Sequence, residues 1–431
     1  MNRKILKIAL PAIATNITVP LLSLVDMAIA GHLGNEIFIC AISVGGTLLN
    51  LLYWNFGFLR MGTSGLTAQA FGAKDNSEMA NILVRSIVVS LIACVLIILL
   101  KNVVESAAFR YMQTTEEVEK AAKIYISICI FGVPATMCLY SIKGWFIGMQ
   151  NSVYPMIVAL TTNIVNILCS LILVFYFDLG IKGIALGTVI AEYSGVTLAF
   201  LLWVKKYKNL AKYVNIHLAL ESSKLKHFCT LNGGIAIRTL CLTSVTCFFT
   251  LAGAKQGTTL LAVNTLLMQL FTLFSYFTDG FAYAGEALTG RYIGAKEKEL
   301  MHLSIKYIFR WGFSLAFLFT ILYTFCTTPF LKILTNEISV IEAAKAYHWW
   351  VIAIPFCGFA AFLWDGIMIG ATMAKGMVVC MVCATASFFI IYNLLIDTMG
   401  NHGLWLAFIV YILMRGVAQS FYFKSAIKKI I

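Results

Sequence analysis

Nine ionisable side chains fall inside otherwise apolar stretches of this chain: Asp26, Arg60, Lys143, Glu192, Arg238, Asp279, Glu286, Asp365 and Arg415. A charge in such surroundings is costly unless it faces a cavity or a partner. The chemistry open to such a set is binding and release of a small cation, a proton above all, or mutual ion pairing. Asp26 lies near the end of the first apolar stretch. A carboxylate there can take a proton from outside, and burial favours its uncharged form. Asp279 and Glu286 are seven residues apart, so on a helix they share one face as an acidic stripe. Arg238 falls at the same depth as Asp279 in the adjoining stretch, which makes a buried ion pair between them an expectation. Asn163 and Asn166 occupy adjacent turns, suited to bonding a neighbouring helix. For any one of the nine charges, a neutralised structural pair or a snorkelling end group is an equally good account. That account is strained by all nine together.

No constellation of an enzyme accompanies them. The six histidines sit at loops or ends of apolar stretches, and there is no HExxH, Walker A loop or GxSxG. Without a nucleotide site, ATP cannot drive work from this chain, and an ion gradient is the remaining simple source. The 12 cysteines lie almost all within apolar runs, a poor placement for a disulfide framework or zinc site. Even the CxxC of Cys380 and Cys383 reads as helix packing. No metal and no cofactor is expected beyond a coupling ion, H⁺ or Na⁺.

The elements that must position these groups are membrane helices. The hydrophobic fraction is 60% and the charged fraction 12%, about half the charge of a soluble domain. Twelve apolar runs recur, near 8–30, 37–70, 82–100, 124–148, 154–177, 183–204, 228–252, 258–289, 307–325, 347–370, 377–395 and 404–423. Each is long enough to cross a bilayer core of about 30 Å, and in lipid each must be a helix. The first run ends in Ala28-Ile29-Ala30, which mimics a signal-peptide cleavage site. Its length and Asp26 mark it instead as an uncleaved first span. The net charge of +13 does not indicate nucleic acid, because the basic residues sit in short loops. Lys74, Lys205, Lys206, Lys296, Lys298 and Lys424 belong to the richer set of loops, which places that side and both termini in the cytoplasm.

The halves repeat. Leu66-Thr-Ala-Gln-Ala-Phe-Gly-Ala-Lys74 matches Leu288-Thr-Gly-Arg-Tyr-Ile-Gly-Ala-Lys296 at five of nine positions, 222 residues apart. Gly144 and Gly148 pair likewise with Gly366 and Gly370, and Pro134 with Pro355. Residues 1–204 and 228–431 therefore form two six-helix bundles of the same orientation, parallel repeats about an axis along the membrane normal. A lysine-rich cytoplasmic linker, 205–227, joins them.

Several strings resemble the multidrug and toxic compound extrusion (MATE) family, in its DinF-like branch. Phe58-Leu-Arg-Met-Gly-Thr-Ser-Gly-Leu-Thr-Ala-Gln-Ala70 is similar to that branch's second-span hallmark. Leu24-Val-Asp26 with Ala30-Gly31-His-Leu-Gly34 resembles its first span. Gly144-Trp-Phe-Ile-Gly-Met-Gln150, Asp279-Gly-Phe-Ala-Tyr-Ala-Gly-Glu-Ala-Leu288 and Trp364-Asp-Gly-Ile-Met-Ile-Gly370 resemble the fourth, eighth and tenth. The resemblance implies a V-shaped all-α fold and export of small organic molecules against inward H⁺ or Na⁺. It also implies that Asp26 is the coupling residue and that Asp365 matches an acidic tenth-span position. Two departures stand out. After Asn163 and Asn166 the family often carries an aspartate, where this chain has Cys169 and Ser170. The seventh span often opens Asn-Arg-Asp, where this chain reads Asn232-Gly233-Gly234.

The expectation is a monomeric multi-pass protein of the cell membrane, an antiporter of amphipathic organic substrates in contact with lipid, with no nucleic acid partner. Asp26 is its coupling group. Arg60, Asn163, Asn166, Arg238, Asp279, Glu286 and Asp365 are candidates for coupling or the substrate pathway. The alternatives are a lipid-linked oligosaccharide flippase of the same superfamily, a membrane-embedded enzyme or a receptor. A flippase handling pyrophosphate would line its cavity with cations, whereas this set holds five acids against four bases.

Overall fold

The computed structural model describes residues 1–32, 36–112 and 115–427. Leu33 and Gly34 of the first-span pattern, and Lys428 and Lys429 of the basic loop set, lie outside them. The described residues form helices and turns with no strand. In the first half these are α1 (Asn2–Gly31), α2 (Glu36–Asn55), α3 (Phe58–Gly72), α4 (Asn76–Met112), α5 (Glu116–Cys129), α6 (Val133–Gly148), α7 (Val153–Leu171) and α8 (Ile181–Tyr207). The short α9 (Ile216–Ala219) lies in the linker. Then follow α10 (Ser222–Lys255), α11 (Thr258–Gly294), α12 (Lys298–Leu334), α13 (Ile338–Ala344), α14 (His348–Gly370), α15 (Ala374–Met399) and α16 (Asn401–Ala426). Twelve segments are long and apolar enough to cross a membrane, as the twelve apolar runs require. Leu99, Phe325, Leu394 and Phe421 lie exposed on their flanks, where hydrocarbon is their natural solvent.

The second run is one apolar stretch but two helices. The amides of Phe56 and Gly57 bond the carbonyls of Tyr53 and Trp54, at 3.0 and 3.1 Å. These short turns end α2 before α3 begins. Hydropathy does not register such a break, because both sides of it are apolar. Its counterpart α11 runs unbroken from Thr258 to Gly294. The fourth run is also divided, by a 3₁₀ turn at Ile130–Gly132. Pro134 follows in the first turn of α6, where a missing N–H is harmless.

The repeat seen in the sequence reappears as packing. A Cβ on Gly144 would lie 2.3 Å from the Arg60 carbonyl oxygen, and one on Gly148 2.7 Å from that of Ser64. In the second half a Cβ on Gly366 would lie 2.1 Å from the Ala282 oxygen, and one on Gly370 2.3 Å from that of Glu286. So α6 crosses α3, and α14 crosses α11, through the same two glycines at the same register. The helix ends correspond as well. Lys74 and Lys296 both take φ of 58°, and Gln150 and Thr372 take 61° and 54°. Each closes its helix with a left-handed residue of the kind that satisfies orphan carbonyls.

The chain divides into two compact units, residues 14–228 and residues 1–13 with 229–431. In the second, the start of α1 is tied by the Trp311 indole, which donates to Asn2 Oδ1 at 3.2 Å, and by Lys4, which donates to the Tyr292 hydroxyl at 3.3 Å. Its core is aromatic, with Phe249, Phe274, Phe388, Trp405, Phe408 and Tyr411 fully enclosed. The 14–228 unit has smaller cores, one around Ile42, Tyr125, Ile126 and Ile184 and another around Leu139, Trp145, Phe146 and Tyr207. Here the linker is pinned to α4. Arg85 Nε donates to the Ala219 carbonyl at 2.8 Å, Asn81 Oδ1 accepts from the Asn215 amide at 2.9 Å, and Lys224 meets Glu78 at 2.7 Å.

Candidate functional site

Each unit holds its own buried polar group. In the 229–431 unit the centre is Asp365 on α14. The carboxylate sits one residue before Gly366, at the tight crossing with α11, and is almost wholly buried. Three side chains converge on it. The guanidiniums of Arg238 on α10 and Arg415 on α16 both donate to Oδ2. The Gln419 amide, one turn along α16, donates to Oδ1 at 2.5 Å. Arg415 also stacks over the Phe362 ring, 5.3 Å from its centroid. Asp279, on the acidic face of α11, is an electrostatic neighbour of Arg415. Glu286, the other member of that stripe, is buried at the α11–α14 crossing.

Depth along the helices paired Arg238 with Asp279 in the sequence. Arg238 donates to the carboxylate of Asp365, read there as a separate candidate. The sequence reading named Arg415 only as one of nine charges and passed over Gln419. The available signal was their spacing of one turn on an apolar run, which turns both to one side of α16.

In the 14–228 unit Asp26 on α1 is a half-buried acid. Its Oδ1 is shielded from solvent and has no hydrogen-bond partner among the described residues. Asn163 on α7 reaches α1 through the Thr18 carbonyl, at 3.4 Å. Asn166, one turn on, donates to Thr188 Oγ1 of α8 at 3.1 Å. The asparagines thus join α7 to α1 and to α8, as their spacing predicted. Arg60 gives its backbone carbonyl to the α3–α6 crossing.

Ser170 explains one departure from the family pattern. It is fully buried, and a Cβ on Gly187 would lie 2.4 Å from its hydroxyl and 2.8 Å from its backbone nitrogen. The helices α7 and α8 meet there too closely for a carboxylate, so a small residue at 170 and a glycine at 187 belong together.

A family comparison fits this duplicated plan. The MatE family model matches residues 11–172 and, a second time, 235–395. The chain belongs to the MatE family. One match falls in each half of the repeat. This MatE chain is 35% identical over 412 residues to DNA damage-inducible protein F of Escherichia coli (strain K12), covering 95% of this chain and 89% of that protein. It is 25% identical over 442 residues to Protein DETOXIFICATION 44, chloroplastic, of Arabidopsis thaliana, covering 97% and 81%. The fold matches the crystal structure of the Vibrio cholerae MATE transporter VcmN in its bent form with a TM-score of 0.88 at 17% identity, over 99% of this chain and 97% of that one. As a MatE member, the protein is a multi-pass membrane transporter and not an enzyme.

Proposed function

We propose that this MatE protein is an antiporter that exports small amphipathic organic molecules in exchange for an inward proton, with Asp26 carrying that proton. The observation behind the reading is the Asp26 Oδ1 atom, buried and without a donor among the described residues. A buried carboxylate oxygen in that position is costly when ionised and far less so when the group is neutral. A proton supplies what the protein does not. Its arrival and departure then bias the two states of the carrier through differential stabilisation.

In this scheme protonation of Asp26 removes the desolvation penalty and lets α1 repack against α7, through the Asn163 contact. The prolines at 11 and 20, which lack N–H groups, already weaken α1. Both termini and the 205–227 linker face the cytoplasm, and the protein, with halves 1–204 and 228–431, works as a monomer by alternating access. Arg60, Asn163, Asn166, Arg238, Asp279, Glu286 and Asp365 serve the pathway or the coupling.

The test is efflux of an organic cation, ethidium, from proteoliposomes under an imposed pH gradient, with the amount of protein matched. Asp26→Asn holds the neutral form permanently and is expected to fold but to lose gradient-driven efflux. Wild-type rates in that variant would remove Asp26 from the coupling step. A second arm replaces the pH gradient by a Na⁺ gradient. Undiminished efflux there, with none under a pH gradient, would reassign the ion.

A further inference from the structure

The repeat that relates Gly144 to Gly366 also relates Lys143 to Asp365, 222 residues apart. Asp365 is the centre of the buried group of the 229–431 unit. Lys143 therefore stands on α6 where its counterpart stands on α14, beside the same glycine crossing. The partners correspond too. Asp365 meets Arg415 on the last helix of its half, and Lys143 has Glu192, on the last helix of the other, as its electrostatic partner. Both last helices follow a glycine with φ of 53°, Gly180 and Gly400. The two pairs join corresponding helices with opposite signs: acid on α14 with base on α16, 15 residues past Gly400, and base on α6 with acid on α8, 12 residues past Gly180.

The surroundings of Glu192 differ from those of Asp365 in one decisive respect. Asp365 has two guanidiniums, and Glu192 has the single ammonium of Lys143. Its other neighbours among the described residues are neutral. The Thr136 hydroxyl is a neighbour of Glu192 and of Tyr53 of α2. Thr136 also lies 3.2 Å from the Gly132 carbonyl. At Gly132 a Cβ would lie 3.8 Å from Glu192 Cγ, so α8 rests directly on the turn between α5 and α6. Tyr140 of α6 neighbours Tyr53, and Cys129 of α5 neighbours Glu192. Cys129 and the nearby Tyr125 are in turn electrostatic neighbours of Asp26. Both Asp26 and Glu192 thus have Cys129 as an electrostatic neighbour, and the hydroxyls of Thr136 and Tyr53 lie on the Glu192 side of it.

We propose that Glu192 is a second proton-carrying residue of the transporter, taking the place of the acid that the Ser170–Gly187 crossing excludes from α7, and that Lys143 is the residue it holds and releases. The inference rests on the coupling reading given for Asp26. A proton entering the 14–228 unit neutralises Asp26 or, across Cys129, Tyr125, Tyr53 and Thr136, Glu192. With Glu192 neutral, the Lys143 ammonium loses its counter-charge, which a low-dielectric site strongly disfavours. Lys143 must then find water, an anionic group or a new position, and α6 and α8 are freed to move. Loss of the proton restores the pair.

The experiment is a proton titration of the purified full-length protein in detergent, which needs no substrate. Wild type, Glu192→Gln, Lys143→Arg and Asp26→Asn are compared between about pH 5 and pH 9. A purely structural ion pair stays charged throughout that window, so Glu192→Gln would bind as many protons as wild type. A proton carrier predicts that Glu192→Gln binds about one proton fewer, while Lys143→Arg keeps the wild-type number. Equal uptake by wild type and Glu192→Gln overturns the assignment of Glu192. Should Glu192→Gln misfold, the same titration on Glu192→Asp decides: the missing proton returns for a carrier, and its titration midpoint moves with the shorter side chain. Failure of the two ideas is separable. Loss of a proton in Asp26→Asn with none lost in Glu192→Gln sinks only the second carrier, and no loss in Asp26→Asn sinks the coupling reading.

Discussion

Replacing Asp365 by asparagine should be the most destabilising polar substitution in the 229–431 unit, and the structure says by roughly how much. The carboxylate is shared by two guanidiniums, those of Arg238 and Arg415, and Arg415 is 1% exposed. The local sum is one negative charge against two positive. Asparagine keeps the shape but strands both cations, and breaking a buried pair by removing one partner costs about 3–5 kcal/mol. Asp279 lies close enough to Arg415 to soften part of that loss. Arg238→Met is different in kind. It leaves Asp365 paired with Arg415 and bonded to Gln419, and removes an excess charge. Its cost should be about 1 kcal/mol, the order of one lost hydrogen bond. The double variant Asp365→Asn/Arg415→Met should recover part of the loss, because only one cation remains stranded. Thermal unfolding of the purified protein in one detergent, at fixed lipid content, ranks the three variants. If Asp365→Asn melts no lower than Arg238→Met, the two arginines do not depend on Asp365 for their charge, and the argument fails.

Other outcomes follow from the same contacts. Gly144→Val and Gly366→Val each put a Cβ near 2 Å from a backbone oxygen of the facing helix, so neither should accumulate as folded protein. Gly46→Ala, with nothing within 4 Å, should behave as wild type in the same size-exclusion assay. Ser170→Asp, which would restore the common family acid, should cost about 1–3 kcal/mol by overpacking against Gly187 and should not enhance efflux; a stable, more active variant would show that α7 and α8 can separate there. Arg85→Ala frees the Leu218 and Ala219 carbonyls, and should speed tryptic cleavage within 205–227 without altering the fold of either half; unchanged cleavage would mean that Asn81 and Lys224 hold the linker alone.

The helices and their duplication were legible because the physics that sets them is local. A bilayer demands long apolar runs, and a close helix crossing demands glycine, so both leave marks in one dimension. The pairing of Gly144 and Gly148 with Gly366 and Gly370 became a contact at atomic range. The break at Phe56 and Gly57 left no mark, since it joins two stretches that are equally apolar. The buried charges were recognisable one at a time, but their partners were not. Arg238 and Asp365 are 127 residues apart and Asp365 and Arg415 are 50. Depth along a helix gives only one of the three coordinates a pairing needs. Asp279 met the depth criterion for Arg238, whereas Asp365 lies nearer the end of its apolar run and did not.

The glycine crossings also fix a length. Eighty-four residues separate Arg60 from Gly144, and eighty-four separate Ala282 from Gly366. Between those points each half leaves the crossing, traverses two spans and their loops, and returns to touch itself again. Because Cβ atoms are excluded at both glycines, the return has no slack of even one residue: a shift by one would rotate the glycine away and bring a side chain against the carbonyl. An inserted or deleted residue in a connecting loop leaves that register intact, whereas one inside a helix rotates the glycine out of the contact. The two halves keep the same arc length between these contacts, a shared measure that stands beside the matching residues as a record of their likeness.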